Sequence, residues 1–171
     1  MGKNYKNNKK HNEWSGKHRK RVSARSPNQK EVLRQISQND IVFCAGPAGS
    51  GKTHLAAAIV NEVLGRGQNA FFVFVPDLLD HLRSTFATVS EIPYDQLVEQ
   101  VRNAPLLVLD DLGGHSGTPW AQEKLYQIVN HRYVSKLPTV FTLGLPVDNL
   151  ELRLQTRLSD PEISNMYLFI N

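Results

Sequence analysis

Cysteine is almost missing from this chain: Cys44 is the only one in 171 residues. That excludes an internal disulfide framework and makes a reducing cytoplasm the expected setting. It also removes the thiolates that structural zinc sites usually need, so His11 and His18 read as solvated histidines rather than metal ligands. No apolar run approaches the roughly 20 residues that span a bilayer, and no signal-peptide pattern opens the chain. The start "MGKNYK" has Gly2 but carries Lys6 where N-myristoylation wants serine or threonine, so no lipid anchor is expected. No membrane partner follows from any of these features.

Acidic residues are scarce at the front. Residues 1–25 hold nine Lys/Arg against Glu13 alone, whereas the other 146 residues hold eleven Lys/Arg against fifteen Asp/Glu. The modest overall charge of +4 therefore divides into a basic arm and an acidic domain. The arm shows neither helical nor alternating apolar periodicity and is rich in Asn and Lys, so it is expected to be disordered. Two readings of it stand side by side. It suits nucleic-acid phosphates, with Tyr5 and Trp14 as stacking groups, and it equally suits a solubilising tail.

From Ser26 onward the texture is that of one globular domain, with no repeat or low-complexity tract through residue 171. "SPNQKEVLRQISQND" places Val32, Leu33 and Ile36 at helical spacing, with Ser26 as cap and Pro27 in the first helical position. "IVFCA" (41–45) is a short apolar run of the kind covered on both faces, in which Cys44 reads as buried and inert. The same reasoning predicts a helix from Lys52, a strand over 69–75, and helices at 76–87 and 93–104. It predicts a buried strand over 105–111 and a long helix over 118–136. A strand over 138–144, a helix over 148–160 and a last strand at 166–171 complete the list. Strands alternating with helices imply a doubly wound, mostly parallel sheet of about five strands between helical layers.

Within that frame, "GPAGSGKT" matches G-x-x-x-x-G-K-[ST] in full, after a buried strand and opening a helix. Its glycines let backbone N–H groups turn toward phosphates, and the helix N-terminus adds favourable partial charge. The chain is thus expected to be an α/β P-loop NTPase of the three-layer AAA+/ASCE type. Gly46, Pro47, Ala48, Gly49, Ser50, Gly51, Lys52, Thr53 and the adjoining His54 form the expected nucleotide-binding set. Lys52 is the residue for the β- and γ-phosphates and Thr53 the hydroxyl for Mg²⁺. About sixty residues on, "LLVLDD" ends a buried strand in two carboxylates. Asp110 is expected on the metal side and Asp111 as the base for the attacking water, with a loop cap as its plainer alternative. ATP and Mg²⁺ are the implied cofactors.

Several stretches also carry a family resemblance. "THLAAAIVNEVLGRGQNAFFVFVPDLLDHLRSTF", "LLVLDDLG", "WAQEKLYQIVNHRY" and "RLSDP" resemble the ATPase core of the DnaC/IstB-type AAA+ proteins, helicase loaders and transposition helpers, over about residues 46–161. That resemblance implies ATP bound between subunits of a homo-oligomer, contact with single-stranded DNA, and a replicative helicase or transposase as partner. It also implies an arginine acting in trans, Arg157 here, with Arg153 one turn earlier as the weaker candidate. His54 then belongs to the "GKTHLA" signature and is expected to pack under the loop.

The front of the domain, "RSPNQKEVLRQISQNDIVFCAGPAGSGKT", resembles PhoH-like ATPases tied to RNA metabolism. It implies Gln29 as an adenine-reading amide, offering the donor and acceptor that adenine's edge needs.

One departure matters. Loader-type proteins usually end the fourth strand in a Thr-Thr-Asn-like sensor, and here Thr142, Leu143 and Gly144 stand there without the amide. No long helical lid follows Pro161. Both omissions bear on turnover rather than binding, so an ATP-binding switch with little turnover stands as an alternative to the ATPase. A small-molecule P-loop kinase is disfavoured because "DLGGHSG" supplies no set of lid arginines. Trp120, Tyr126, Ile128 and Tyr133 read as core, His115 as loop filler, and His131 and Arg132 as solvated helix charges.

Overall fold

The computed structural model describes residues 27–36, 40–84, 94–114, 117–144 and 146–168. The elements in chain order are α1 (Pro27–Ile36), β1 (Ile41–Ala45), α2 (Lys52–Gly65), β2 (Phe71–Phe74), α3 (Val75–Ser84), α4 (Tyr94–Arg102) and β3 (Leu107–Asp110). They are followed by α5 (Pro119–Val134), β4 (Thr139–Leu143), a 3₁₀ turn (Val147–Asn149), α6 (Leu152–Leu158) and β5 (Ser164–Leu168). The strands make one parallel sheet in the order β2-β3-β4-β1-β5.

A parallel sheet needs cover on both faces, and the alternation along each strand divides the core accordingly. Ile41, Phe43 and Ala45 of β1 join Leu107 and Leu109 of β3 and Phe141 and Leu143 of β4 on one face, under α3, α4, α5 and α6. Val42 and Cys44, with Val108 and Val140, face the other way, onto Leu55, Ala56, Ile59 and Val60 of α2 and Val32 of α1. Each such aliphatic side chain, fully buried, contributes on the order of 2 kcal/mol. Cys44 is 1% exposed, and burial pushes its thiol up to about 12, so it is the inert thiol expected.

Several boundaries differ from the sequence reading. The strand expected over 69–75 is shorter, and Val75 opens α3, because Val75, Leu78, Leu79 and Leu82 form an i, i+3, i+4, i+7 stripe into the core. Pro76 is tolerated there because first-turn N–H groups need no intrahelical acceptor. As an edge strand, β2 leaves Phe71, Phe72 and Phe74 about 40% exposed. The helix expected over 148–160 divides at Glu151, which is extended, so that Leu150 as well as Leu154 and Leu158 can bury. Gln155 Nε2 donates to the carbonyls of Asp148 (2.9 Å) and Leu150 (2.7 Å), taking up acceptors freed by the break. The last strand begins at Ser164, two residues early, and pairs with β1. α5 keeps its expected start: Thr118 caps it, its Oγ1 accepting the Ala121 N–H, with Pro119 in the first turn. The Ser26 cap, the arm at 1–25, His115 and residues 169–171 lie outside the described residues.

The largest correction concerns Arg132. Read as a solvated helix charge, it is fully buried. Its Nε donates to Thr139 Oγ1 (2.8 Å), Nη1 to the carbonyls of Ala104 (2.8 Å) and Arg102 (3.0 Å), and Nη2 to that of Pro138 (2.6 Å). The guanidinium fork thus ties the end of α5 to the end of α4 and the entry to β4, a pattern a planar multi-donor group can meet. His131 beside it is partly buried and bonds Asn103. Burial lowers the Arg132 pKa to about 10, leaving the group charged at neutral pH. Each buried acceptor left unpaired costs about 1–3 kcal/mol. Arg132→Ala should therefore lower the unfolding free energy by about 3 kcal/mol or more in urea titration, with Arg132→Lys recovering only part of the loss.

Candidate functional site

The glycine loop leaves the C-terminal end of β1 and turns into α2 at Gly51, whose φ of +85° suits a residue without a side chain. Lys52, in the first turn of α2, is 8% exposed and folds back over the loop. Its ammonium donates to the carbonyls of Gly46 and Pro47, both at 2.7 Å, and to Ser50 Oγ at 3.0 Å. All three contacts are made within the loop, so the cation sits at its centre. Gln29 of α1 lies at the loop's rim, its Nε2 3.9 Å from the position a Cβ on Gly51 would take. His54 does not pack under the loop. It is exposed, because the buried side of α2 runs through Leu55, Ala56, Ile59 and Val60.

Thr53 points from the same turn toward the sheet, and its hydroxyl donates to Asp110 Oδ1 at 3.0 Å across 57 residues of sequence. The register explains the meeting. Leu109 lies beside Phe141, so the next residues, Asp110 and Thr142, are neighbours at the C-terminal ends of β3 and β4. Both share the parity of Val108 and Val140, which face α2. Asp110 is 3% exposed. Hard oxygens from one carboxylate and one hydroxyl suit Mg²⁺, which takes few protein ligands and completes its shell with phosphate and water.

Asp111 follows with φ +60°, a left-handed conformation that costs a non-glycine residue about 1–2 kcal/mol. Its N–H donates to Thr142 Oγ1 at 2.9 Å, and the next N–H, of Leu112, donates to the Thr142 carbonyl at 2.8 Å. Its carboxylate occupies the notch at Gly114, where an added Cβ would lie 2.0 Å from Oδ2. Gly144 borders the same carboxylate, and a Cβ there would stand 3.5 Å from Oδ1, an ordinary contact. Sequence reasoning missed Thr142 as a contact, although a hydroxyl closing the apolar run "VFT" was a signal for it.

Arg153 and Arg157 lie on α6, across the sheet from α2, and their surroundings separate them. Arg153 is paired with Glu123 (3.1 Å) and Glu151 and stacks on Tyr126, 4.3 Å from its centroid. Arg157 has neutral partners: Nε donates to Asn130 Oδ1 and Nη2 donates to the Tyr126 hydroxyl, both at 3.1 Å. Among the described residues no ion pair involves Arg157. Trp120, Tyr126 and Tyr133 are half-buried against the core and Ile128 is fully inside, as expected. The Tyr133 hydroxyl donates to Asp160, which also accepts the Glu162 N–H, holding the turn that ends the arginine helix.

Residues 4–164 match the family of IstB-like ATP-binding proteins. The replicative helicase loader DnaC of Escherichia coli K12 is 34% identical over 116 residues, 68% of this chain and 47% of that protein. DnaI of Bacillus subtilis, also a replicative helicase loader, is 29% identical over 64% of this chain and 35% of its own length. The chain thus spans about half or less of these relatives. A DnaC helicase loader crystal structure superposes with a TM-score of 0.71 at 22% identity, over 86% of this chain and 93% of that one. A DnaA bound to AMPPCP and single-stranded DNA also gives 0.71 at 21% identity, over 86% and 47%. At those identities the superpositions establish the fold: an AAA+ P-loop domain. The IstB-like match runs through residues 25–53, so the stretch read above as PhoH-like falls within the same family match as the rest of the domain.

The Tyr133–Asp160 contact carries a pH signature. The Tyr133 hydroxyl, then the Glu162 N–H, holds the Asp160 carboxyl below its usual range, while the bond to Asp160 raises the Tyr133 phenol. The stability this contact gives is therefore present from above the ordinary carboxylate range and is lost as pH falls through the lowered Asp160 pKa. At the alkaline end it is lost as pH rises through the raised Tyr133 pKa. Urea midpoints across pH should show Asp160→Asn narrowing its deficit against wild type in acid, with a constant deficit counting against this contact.

Proposed function

The chain belongs to the IstB-like ATP-binding family, and from that premise we propose that it is a Mg²⁺-dependent AAA+ ATPase acting with single-stranded DNA, as helicase loaders do. The observation that carries the reading is the Thr53–Asp110 contact, which joins the end of the glycine loop to the carboxylate of β3. In this reading the loop N–H groups and Lys52 bind the β- and γ-phosphates, with Gln29 reading the base. Thr53 and Asp110 hold Mg²⁺, which offsets phosphate charge. Asp111 orients the attacking water and takes its proton. Arg157, charged and without a carboxylate partner among the described residues, reaches the γ-phosphate of a second copy. Arg153, neutralised by two glutamates, is the poorer candidate.

The partners belong to the same proposal. The E. coli and B. subtilis relatives are replicative helicase loaders, and we extend to this chain a helicase or transposase partner and a cytoplasmic setting. No helix among the described residues is long and apolar enough to cross a membrane. Residues 1–25 serve as a basic arm on the polynucleotide, and residues 26–171 as the ATPase domain. Lys52→Ala should cut hydrolysis stimulated by single-stranded DNA about 100-fold or more. Unchanged hydrolysis in that variant overturns the reading. Stronger stimulation by RNA favours the PhoH-like alternative instead, and a chain lacking residues 1–25, assayed at two salt concentrations, tests the arm.

Gly144 favours a second reading, the ATP-binding switch, because no side chain there reaches toward the water that Asp111 would orient. A Cβ at Gly144 would meet Asp111 Oδ1 at 3.5 Å, an ordinary contact. Gly144→Asn should raise the phosphate-release rate without changing nucleotide affinity. A wild type that binds ATP tightly yet releases no phosphate with DNA present establishes the switch.

A further inference from the structure

We propose that Thr142 is a positioning residue that aims both carboxylates of the site, acting on Asp110 and Asp111 rather than on nucleotide or water. The inference rests on the Mg·ATP reading above and deepens it.

Thr142 is 2% exposed in a strand whose other inward positions are apolar, apart from the Thr139 that Arg132 uses. A buried hydroxyl is costly unless both its capacities are met, and here each is met by the site. As donor, Oγ1 gives its proton to Asp110 Oδ1 at 2.6 Å; as acceptor, it takes the Asp111 N–H at 2.9 Å. Its carbonyl receives the Leu112 N–H at 2.8 Å. One residue of β4 therefore grips three successive residues at the end of β3.

The consequences for the two carboxylates differ. Asp110 Oδ1 receives two hydroxyls from different elements, Thr53 of α2 and Thr142 of β4, and neither engages Oδ2. That anchors the carboxylate through Oδ1 and leaves Oδ2 as the oxygen that would be available to a cation. Asp111 is in the left-handed region, and the Thr142 hydroxyl anchors its N–H there. From that backbone its carboxylate enters the notch at Gly114, beside Gly144. Thr142 thus performs through the backbone and the metal-side acid part of the alignment that an amide at 144 would supply from a side chain.

The test is Thr142→Val, which keeps the β-branched shape and the Leu112 contact but removes both hydroxyl bonds, compared with Thr142→Ser. The affinity of a fluorescent ATP analogue is measured with Mg²⁺ and in EDTA, together with kcat and KM for ATP. Outer partners of metal-binding groups typically account for about 10–100-fold in metal affinity or activity. For Thr142→Val we expect the Mg²⁺-dependent gain in affinity and kcat each to fall by about that factor. Affinity in EDTA stays at the wild-type value, and Thr142→Ser restores both quantities. Equal losses with Mg²⁺ and in EDTA, a full Mg²⁺-dependent gain in Thr142→Val, or a serine variant as impaired as the valine one overturns the proposal. If Thr142→Val does not fold, Thr142→Ala removes the same hydroxyl without adding a methyl and takes the same measurements. A wild type with no turnover defeats the ATPase reading alone, because the Mg²⁺-dependent affinity still decides the role of Thr142.

Discussion

Leu109 of β3 lies beside Phe141 of β4, and the geometry of the site depends on that register. With side chains alternating along a strand, it brings Asp110 and Thr142 out on the face covered by α2, at the strand ends toward which the glycine loop opens. A slip of one residue would turn Asp110 into the opposite layer and place Leu109 against Thr53. The register is held by the hydrophobic division of the sheet. In this pairing Leu107, Leu109, Phe141 and Leu143 are buried on the face under α5 and α6, while Val108 and Val140 meet α2, and a one-residue slip would lose both sets. Packing energy of many kcal/mol thereby places a hydroxyl–carboxylate contact that is worth only about 1.5–3 kcal/mol by itself.

Two buried polar constructions stabilise opposite ends of the same strands. At the entry to β4, the Arg132 fork collects carbonyls from the end of α4 and from Pro138, and its charge has oxygen acceptors in place of a counter-ion. At the exit, Thr142 takes up Asp110 and Asp111. The first joins helices to strands and belongs to folding. The second grips the Asp110 carboxylate and the Asp111 main-chain N–H, and its usefulness lies in the orientation it gives them. At the site, strain is accepted in the left-handed backbone of Asp111, and the notch at Gly114 is what makes the resulting carboxylate position sterically open.

The arginines show how little residue type decides alone. Arg153 and Arg157 sit one helical turn apart, and both reach Tyr126. One is neutralised by Glu123 and Glu151 and the other is held by an amide and a phenol. Glu123 comes from α5, so this difference was hidden from any reading of "ELRLQTRLSD" as a local string.

Local chemistry determined much of this protein from the chain alone. "GPAGSGKT" between an apolar run and a helix specifies a phosphate loop, because the glycines and the lysine act within eight successive residues. "LLVLDD" specifies a strand ending in acids, and the alternation of strands with helices specifies a parallel sheet. Other features depended on residues far apart in sequence and were decided only by the tertiary structure. Arg132 looked like a surface charge until its acceptors from α4 and Pro138 converged on it. Val75 looked like the end of a strand until its stripe with Leu78, Leu79 and Leu82 met the core. Thr142 looked like part of an incomplete sensor until the β3–β4 register set it against Asp110, 32 residues away in the chain. Burial and hydrogen-bond partnership are properties of pairs, and a sequence states only one member of each pair at a time.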